Sequence, residues 1–264
     1  MPLRFDHKPS LVAYVTCGDP DMETTHAIVL AAIDAGADVV ELGVPFSDPI
    51  ADGPVIQRAS ERALRAGTTL EDVLALARAV RRERPKAGLI IFSYLNPILR
   101  MRLSRFCAAA AAAGVDGALV TDLTVDEAGD YIACMRQCSL ATVFLAAPTS
   151  PDARLAKIAA ASRGFIYAVS RTGVTGTQAD VSSDARELVV RIRKLSKLPV
   201  AVGFGISTPE QFAAVGGWAD AVVVGSAIVE RIENNLGREA QAVAGFVGSL
   251  KRHAAATIGA GSKR

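Results

Sequence analysis

Short apolar runs alternate with helix-period segments about eight times along 264 residues, and this predicts an α/β protein, a single (β/α)8 TIM barrel over residues 1–264. Two further observations support that architecture. Most of the apolar runs are uninterrupted rather than alternating, which is how strands covered on both faces read. The glycine-rich turns follow the late strands, whereas a doubly wound open sheet, the alternative, would carry its dominant glycine-rich turn after the first.

The elements follow in order. The first strand is expected at Leu11–Thr16, and Asp19-Pro20 offers an N-cap with proline at the first helical position. The second, Val39–Val44, carries Glu41 inside an apolar run. It leads into a loop punctuated by Pro and Gly that holds Asp48 and Asp52. Leu89–Tyr94 is the third strand. The alanine run Ala108–Ala113, a helix that Gly114 ends, precedes the fourth, Ala118–Asp122. Thr142–Ala147 is the fifth, with Ser150-Pro151 to start the next helix. Phe165–Ser170 is the sixth, followed by the hydroxyl-rich stretch Arg171–Thr177, a candidate lid. Val200–Gly205 and Ala221–Ser226 complete the set, with Thr208-Pro209 starting the helix between them. A disordered tail is expected from about residue 255 to 264.

Half of the residues are hydrophobic, 5% are aromatic and the formal net charge is +2, so a polyanion such as nucleic acid is not expected as the main partner. No Cys-x-x-Cys pair occurs among Cys17, Cys107, Cys134 and Cys138, and no histidine lies near the last two to complete a metal site. Packed thiols in a reducing compartment are expected instead. No signal peptide precedes the first strand, and the longest apolar runs, such as Ala221–Val229, are too short to span a bilayer. A soluble cytoplasmic protein is the expectation.

Function in such a barrel sits at the carboxyl ends of the strands. His7, His26 and His253 lie away from any strand end, as do all seven lysines, so neither a histidine base nor a Schiff-base amine is on offer. Acid–base chemistry falls to carboxylates and to a tyrosine. Glu41 has two readings: a proton-transfer group whose pKa burial raises toward neutrality, or a structural carboxylate tied to backbone amides. Asp52 and Asp48 can each equally cap a turn, and Tyr167 can equally be a core residue. Gly203-Phe204-Gly205-Ile206-Ser207 after the seventh strand and Gly225-Ser226 after the eighth stand where barrels bind phosphate on exposed backbone N–H groups. Alternatively the glycines serve tight turns alone.

At these residues the chain resembles the tryptophan synthase alpha subunits. Gly18–Pro20, the long stretch ELGVPFSDPIADGPVIQ at Glu41–Gln57, YLNPIL at Tyr94–Leu99, SRTGVTG at Ser170–Gly176, GFGIS at Gly203–Ser207 and VVGSAIV at Val223–Val229 occur in the family's order. The resemblance implies cleavage of indole-3-glycerol phosphate to indole and glyceraldehyde 3-phosphate. Glu41 would be the acid–base group, Asp52 the carboxylate on the indole N–H, and Tyr167 a neighbour of the reacting centre. It also implies that Gly176, Gly203, Phe204, Gly205, Gly225 and Ser226 surround the phosphate. Tyr14, Phe92, Leu119, Thr121, Leu145 and Thr175 would line or cover the indole pocket. Pro45, Asp48, Asn96 and Pro97 would face a beta subunit in an alpha2beta2 hetero-tetramer. That partner would hold pyridoxal phosphate, and this chain no cofactor or metal. Two departures stand out. The first strand begins early, so the family's N-terminal helix under the barrel is shortened or lost, and VTDLTVDE at Val120–Glu127 lacks the prolines of many members. A stand-alone lyase releasing free indole would need the same residues. A weakly active barrel kept as an allosteric binder would be expected to have lost one of them.

Overall fold

Residue 3 and residues 5–169, 178–203 and 205–261 are described by the computed structural model. The strands are β1 Ser10–Thr16, β2 Val39–Gly43, β3 Gly88–Ser93, β4 Gly117–Val120, β5 Ala141–Val143, β6 Leu145–Ala146, β7 Ile166–Val169, β8 Val200–Gly203 and β9 Ala221–Val224. The helices are α1 Met22–Asp34, α2 Pro54–Arg65, α3 Leu70–Glu83, α4 Leu95–Met101, α5 Leu103–Ala112, α6 Gly129–Gln137, α7 Asp152–Ala161, α8 Gln178–Leu195, α9 Pro209–Gly216, α10 Ser226–Glu233 and α11 Glu239–Gly261.

All strand pairs are parallel, in the order β5-β4-β3-β2-β1-β9-β8-β7-β6. The two ends of that row, β5 and β6, are halves of one strand interrupted at Phe144, whose carbonyl still accepts from Tyr167 N at 3.1 Å. The row therefore closes on itself, and the nine segments make an eight-stranded barrel wrapped by helices. The expected fifth strand, Thr142–Ala147, is corrected to this broken pair.

The continuous apolar runs resolve into two faces. Val12, Val39, Ile90, Leu119, Val143, Phe165, Ala201 and Val223 form one buried cluster inside the barrel. Their neighbours Leu11, Ala13, Val40, Leu42, Leu89, Ile91, Val202 and Val222 belong to the cluster shared with the helices. Three aspartates brace the amino-terminal end. Asp38, Asp116 and Asp220, each just ahead of a strand, accept the backbone N–H of Leu11 at 2.7 Å, Leu89 at 2.9 Å and Val200 at 3.0 Å on the neighbouring strand. Lys251 adds a contact to Asp38 at 3.0 Å, and Arg81 one to Asp116 at 2.7 Å.

Among the described residues no helix precedes β1. Leu3 and Phe5 pack against the inner cluster instead, Phe5 edge-on to Phe165 at 5.5 Å between ring centroids. Three sequence expectations need correction. Asp21, not Asp19, caps α1, accepting from Thr24 N, because the Asp19 carboxylate is taken by Arg62. Helix α7 starts after Pro151 with no side-chain cap, and Ser150 Oγ instead accepts from Ala147 N. Residues 255–261 are not a disordered tail but continue α11, whose Val247, Leu250 and Ala254 are buried and whose alanines favour helix. Thr208-Pro209 does start α9, with a capping box to Gln211.

Candidate active site

Glu41 sits in the middle of β2, opposite Tyr14 on β1 and Ile90 on β3, and is 0% exposed. Strand alternation turns it inward between Val39 below and Gly43 above. Among the described residues, neither of its carboxyl oxygens has a hydrogen-bond partner. The structural reading, a carboxylate tied to backbone amides, is therefore not what the barrel contains. Burial alone pushes its pKa up to about 8. A carboxyl group in that condition is protonated at neutral pH and close to the point of release, which suits transfer of a proton in either direction.

Asp52 is half-buried on the loop between β2 and α2. Burial raises its pKa to about 6, and a hydrogen bond from Tyr94 works in the opposite direction. Tyr94 Oη donates to Asp52 Oδ2 at 3.1 Å and accepts from Ala51 N at 2.9 Å. Tyr14 and Tyr167 complete the group. Burial first holds the Tyr167 phenol above its ordinary value, then Glu41, Tyr14 and Asp52 add to the effect. For Tyr14 burial again leads, followed by Asp52. Both phenols thus stay protonated and remain donors. One carboxyl that holds its proton and one that has released it share a mouth with two hydroxyls.

Two glycines make this crowding possible. A Cβ on Gly43 would run into the Tyr14 hydroxyl, and one on Gly203 into the Tyr167 hydroxyl. Gly203 therefore has a packing duty beyond the phosphate or turn role that the sequence offered. Gly205 differs: a Cβ there would meet nothing within 4 Å among the described residues, so their packing does not demand glycine at that position. Gly225 is the N-cap of α10 and Ser226 its first residue, so the amino-terminal N–H groups of α10 open beside β9. A Cβ on Gly225 would stand at ordinary contact distance, 3.6 Å, from Tyr14. The apolar wall is Phe92, edge-on to Tyr14 at 5.0 Å, with Leu119 beside it in register. Leu145 stands opposite Tyr167, and Thr121 Oγ1 reaches Ser93 O at 3.4 Å.

The structure thus brings together Glu41, Asp52, Tyr14, Tyr167, Phe92, Leu119, Thr121, Leu145, Gly203, Gly205, Gly225 and Ser226 at the carboxyl-terminal end of the strands. Thr175, Gly176 and Phe204 lie outside the described residues, as does the whole of the candidate lid, Arg171–Thr177; α8 begins at Gln178. Asp48 and Asn96 are exposed, Pro97 is half-buried and Pro45 is buried. Sequence reasoning missed Tyr94 and Gly43. The signal for Tyr94 was available, since it closes the third strand in a quoted motif; that for Gly43 was not, because it depends on the cross-strand pairing Thr16↔Gly43.

Known proteins match the chain over most of its length. A family model described as tryptophan synthase alpha chain matches residues 2–257. The tryptophan synthase alpha chain of Solibacter usitatus is 54% identical over 233 residues, 88% of this chain and 87% of that protein. That of Geobacter sulfurreducens is 49% identical over 253 residues, 94% of each. Among solved structures, tryptophan synthase subunit alpha from Legionella pneumophila superposes with a TM-score of 0.87 at 35% identity, covering 94% of this chain and 93% of that one. A tryptophan synthase chain from M. tuberculosis gives 0.86 at 38%, with coverage of 94% and 93%. The chain belongs to the tryptophan synthase alpha chain family, and is a lyase that cleaves indole-3-glycerol phosphate in tryptophan biosynthesis.

Proposed function

We propose that Glu41 transfers the proton on which the cleavage turns and that Asp52 carries the charge it creates. The observation behind this reading is a fully buried carboxyl with no partner for either oxygen among the described residues, lying in the same mouth as a second carboxyl of lower pKa. Breaking the bond between indole C3 and the glycerol carbon needs an electron sink. Protonation of C3 by neutral Glu41 makes the ring an indolenine cation, and ionised Asp52 accepts the N1–H and stabilises the positive charge. The Glu41 carboxylate then takes the proton of the hydroxyl on the carbon next to the ring. The C–C electron pair returns to the ring, and indole and glyceraldehyde 3-phosphate separate. One proton enters at C3 and one leaves the hydroxyl, so the step balances.

The phosphate lies against Gly203, Gly205, Gly225 and Ser226, with Gly176 and Phe204 assigned there by resemblance. The positive end of α10 favours a dianion at this place. Tyr14, Phe92, Leu119, Thr121, Leu145 and Thr175 enclose the indole, and Tyr167 stands beside the reacting carbon.

The whole chain acts as one domain without a cofactor of its own. Its partner is a beta subunit carrying pyridoxal phosphate, in an alpha2beta2 assembly. Asp48, Asn96 and Pro97 face that partner, a placement supported by the exposed apolar side chains of Ile50, on the loop of Asp48, and Leu99, on α4 with Asn96 and Pro97. A cytoplasmic location fits the four free cysteines and the described helices, none long and apolar enough to cross a membrane.

The test is the pH dependence of indole release from indole-3-glycerol phosphate. Ionised Asp52 and protonated Glu41 are both required, so kcat/KM should be bell-shaped, rising through about 6 and falling through about 8. A rate that keeps rising above pH 9 would exclude Glu41 as the acid.

A further inference from the structure

The loop that carries Asp52 is lightly held. Its own backbone offers Ile50 N to Asp48 O at 2.9 Å and Asp52 N to Pro49 O at 3.0 Å, and Ile50 is 86% exposed. Among the described residues the only side chain hydrogen-bonded to the Asp52 carboxylate is Tyr94. Tyr94, by contrast, is well anchored. It is 3% exposed, its ring lies on Phe46 with centroids 5.0 Å apart, and it is the N-cap residue of α4. The next residue is tied to the neighbouring loop, Leu95 N donating to Asp122 Oδ1 at 2.7 Å. The hydroxyl already accepts the N–H of Ala51, which leaves its own proton to point at Asp52.

We propose that Tyr94 is a positioning residue for the cleavage reaction: its hydroxyl clamps the backbone of Ala51 and the carboxylate of Asp52 together, and so fixes where that carboxylate points. The proposal rests on the reading of Asp52 given above. Among the described residues, besides Tyr94, the titratable groups that feel the Asp52 charge are Tyr14 from β1 and Tyr167 from β7. Neither is a cation. The donor on Tyr94 is therefore what offsets the burial of Asp52 and favours its ionised form.

A double-mutant cycle on the full chain tests this, with indole release measured from pH 5 to 9. Tyr94→Phe keeps the ring on Phe46 and removes only the hydroxyl. It should lower kcat/KM about ten- to 150-fold at pH 7, the range for losing one hydrogen bond to a charged group, and move the acid limb to higher pH. Asp52→Asn should cost more, and Tyr94→Phe added to it should change the rate less than about twofold, because the group being positioned is gone. Phe46→Leu is the control for packing: it should lower the thermal midpoint while leaving the acid limb in place. An additive double mutant, or a Tyr94→Phe enzyme with wild-type rate and acid limb, would overturn the proposal alone. Near-wild-type activity in Asp52→Asn would overturn the reading of Asp52 and the proposal with it.

Discussion

Single atoms decide whether this site exists. Gly203 and Gly205 lie two residues apart in one motif, yet the barrel uses them differently. Alanine at 203 would drive a methyl group into the Tyr167 hydroxyl, and overpacking of this kind costs about 1–3 kcal/mol. Gly203→Ala is therefore expected to lower the thermal midpoint and the turnover together. Alanine at 205 meets none of the described residues, so Gly205→Ala should leave the midpoint within about 1 °C and raise KM, because it hinders the approach of the phosphate. Melting curves and steady-state kinetics on the two variants separate the roles. This difference was not legible in the sequence, where both residues read as turn or phosphate glycines. Glu41 stood out as a carboxylate inside the apolar run VVELGV, but the sequence left a structural carboxylate tied to backbone amides equally open. Tyr94 was visible in the motif YLNPIL but its role was not, because that role depends on a partner 42 residues away.

At the scale of elements, the apolar runs located all eight strands because strands covered on both faces must be apolar throughout; their ends moved by a residue or two. Helix starts were less legible because they depend on which side chains are free. Asp19 has capping chemistry, but Arg62 binds both its oxygens, at 2.7 and 2.8 Å, from 43 residues away. That contact belongs to a network. Arg62 also reaches Glu233 at 2.8 Å, and Glu233 accepts from Arg58 at 2.7 and 2.9 Å. The loop after β1, helix α2 behind the Asp52 loop, and the far end of α10 are joined in one place. Arg62→Ala would leave Asp19, whose side chain is 2% exposed, charged and unpaired. Removing one partner of such a pair costs about 3–5 kcal/mol, a fall of several degrees in midpoint, and the drift of α10 should raise KM for the phosphorylated substrate. A variant with unchanged midpoint and KM would show the network to be incidental.

Across the whole molecule, stability and chemistry occupy opposite ends. The amino-terminal end is braced by Asp38, Asp116 and Asp220 and filled by Leu3 and Phe5; the carboxyl-terminal end tolerates a buried, unpartnered acid. The penalty for that acid has a definite pH signature. Glu41 has an ordinary pKa of 4.5 and one of about 8 when folded, so between those values the folded chain holds a proton the unfolded chain has released. Stability then falls as pH rises through the window, by about 1.4 kcal/mol per pH unit for this one group. Glu41→Gln removes that loss, so the variant should be folded, and more stable than the wild type by a margin that grows from pH 5 to pH 8. The measurement that bears most directly on the mechanism is its turnover. With substrate binding measured separately, Glu41→Gln should bind indole-3-glycerol phosphate within a few-fold of wild type and release indole about 10²–10⁴ times more slowly. A folded, substrate-binding Glu41→Gln enzyme that keeps more than about a tenth of wild-type turnover would contradict the account.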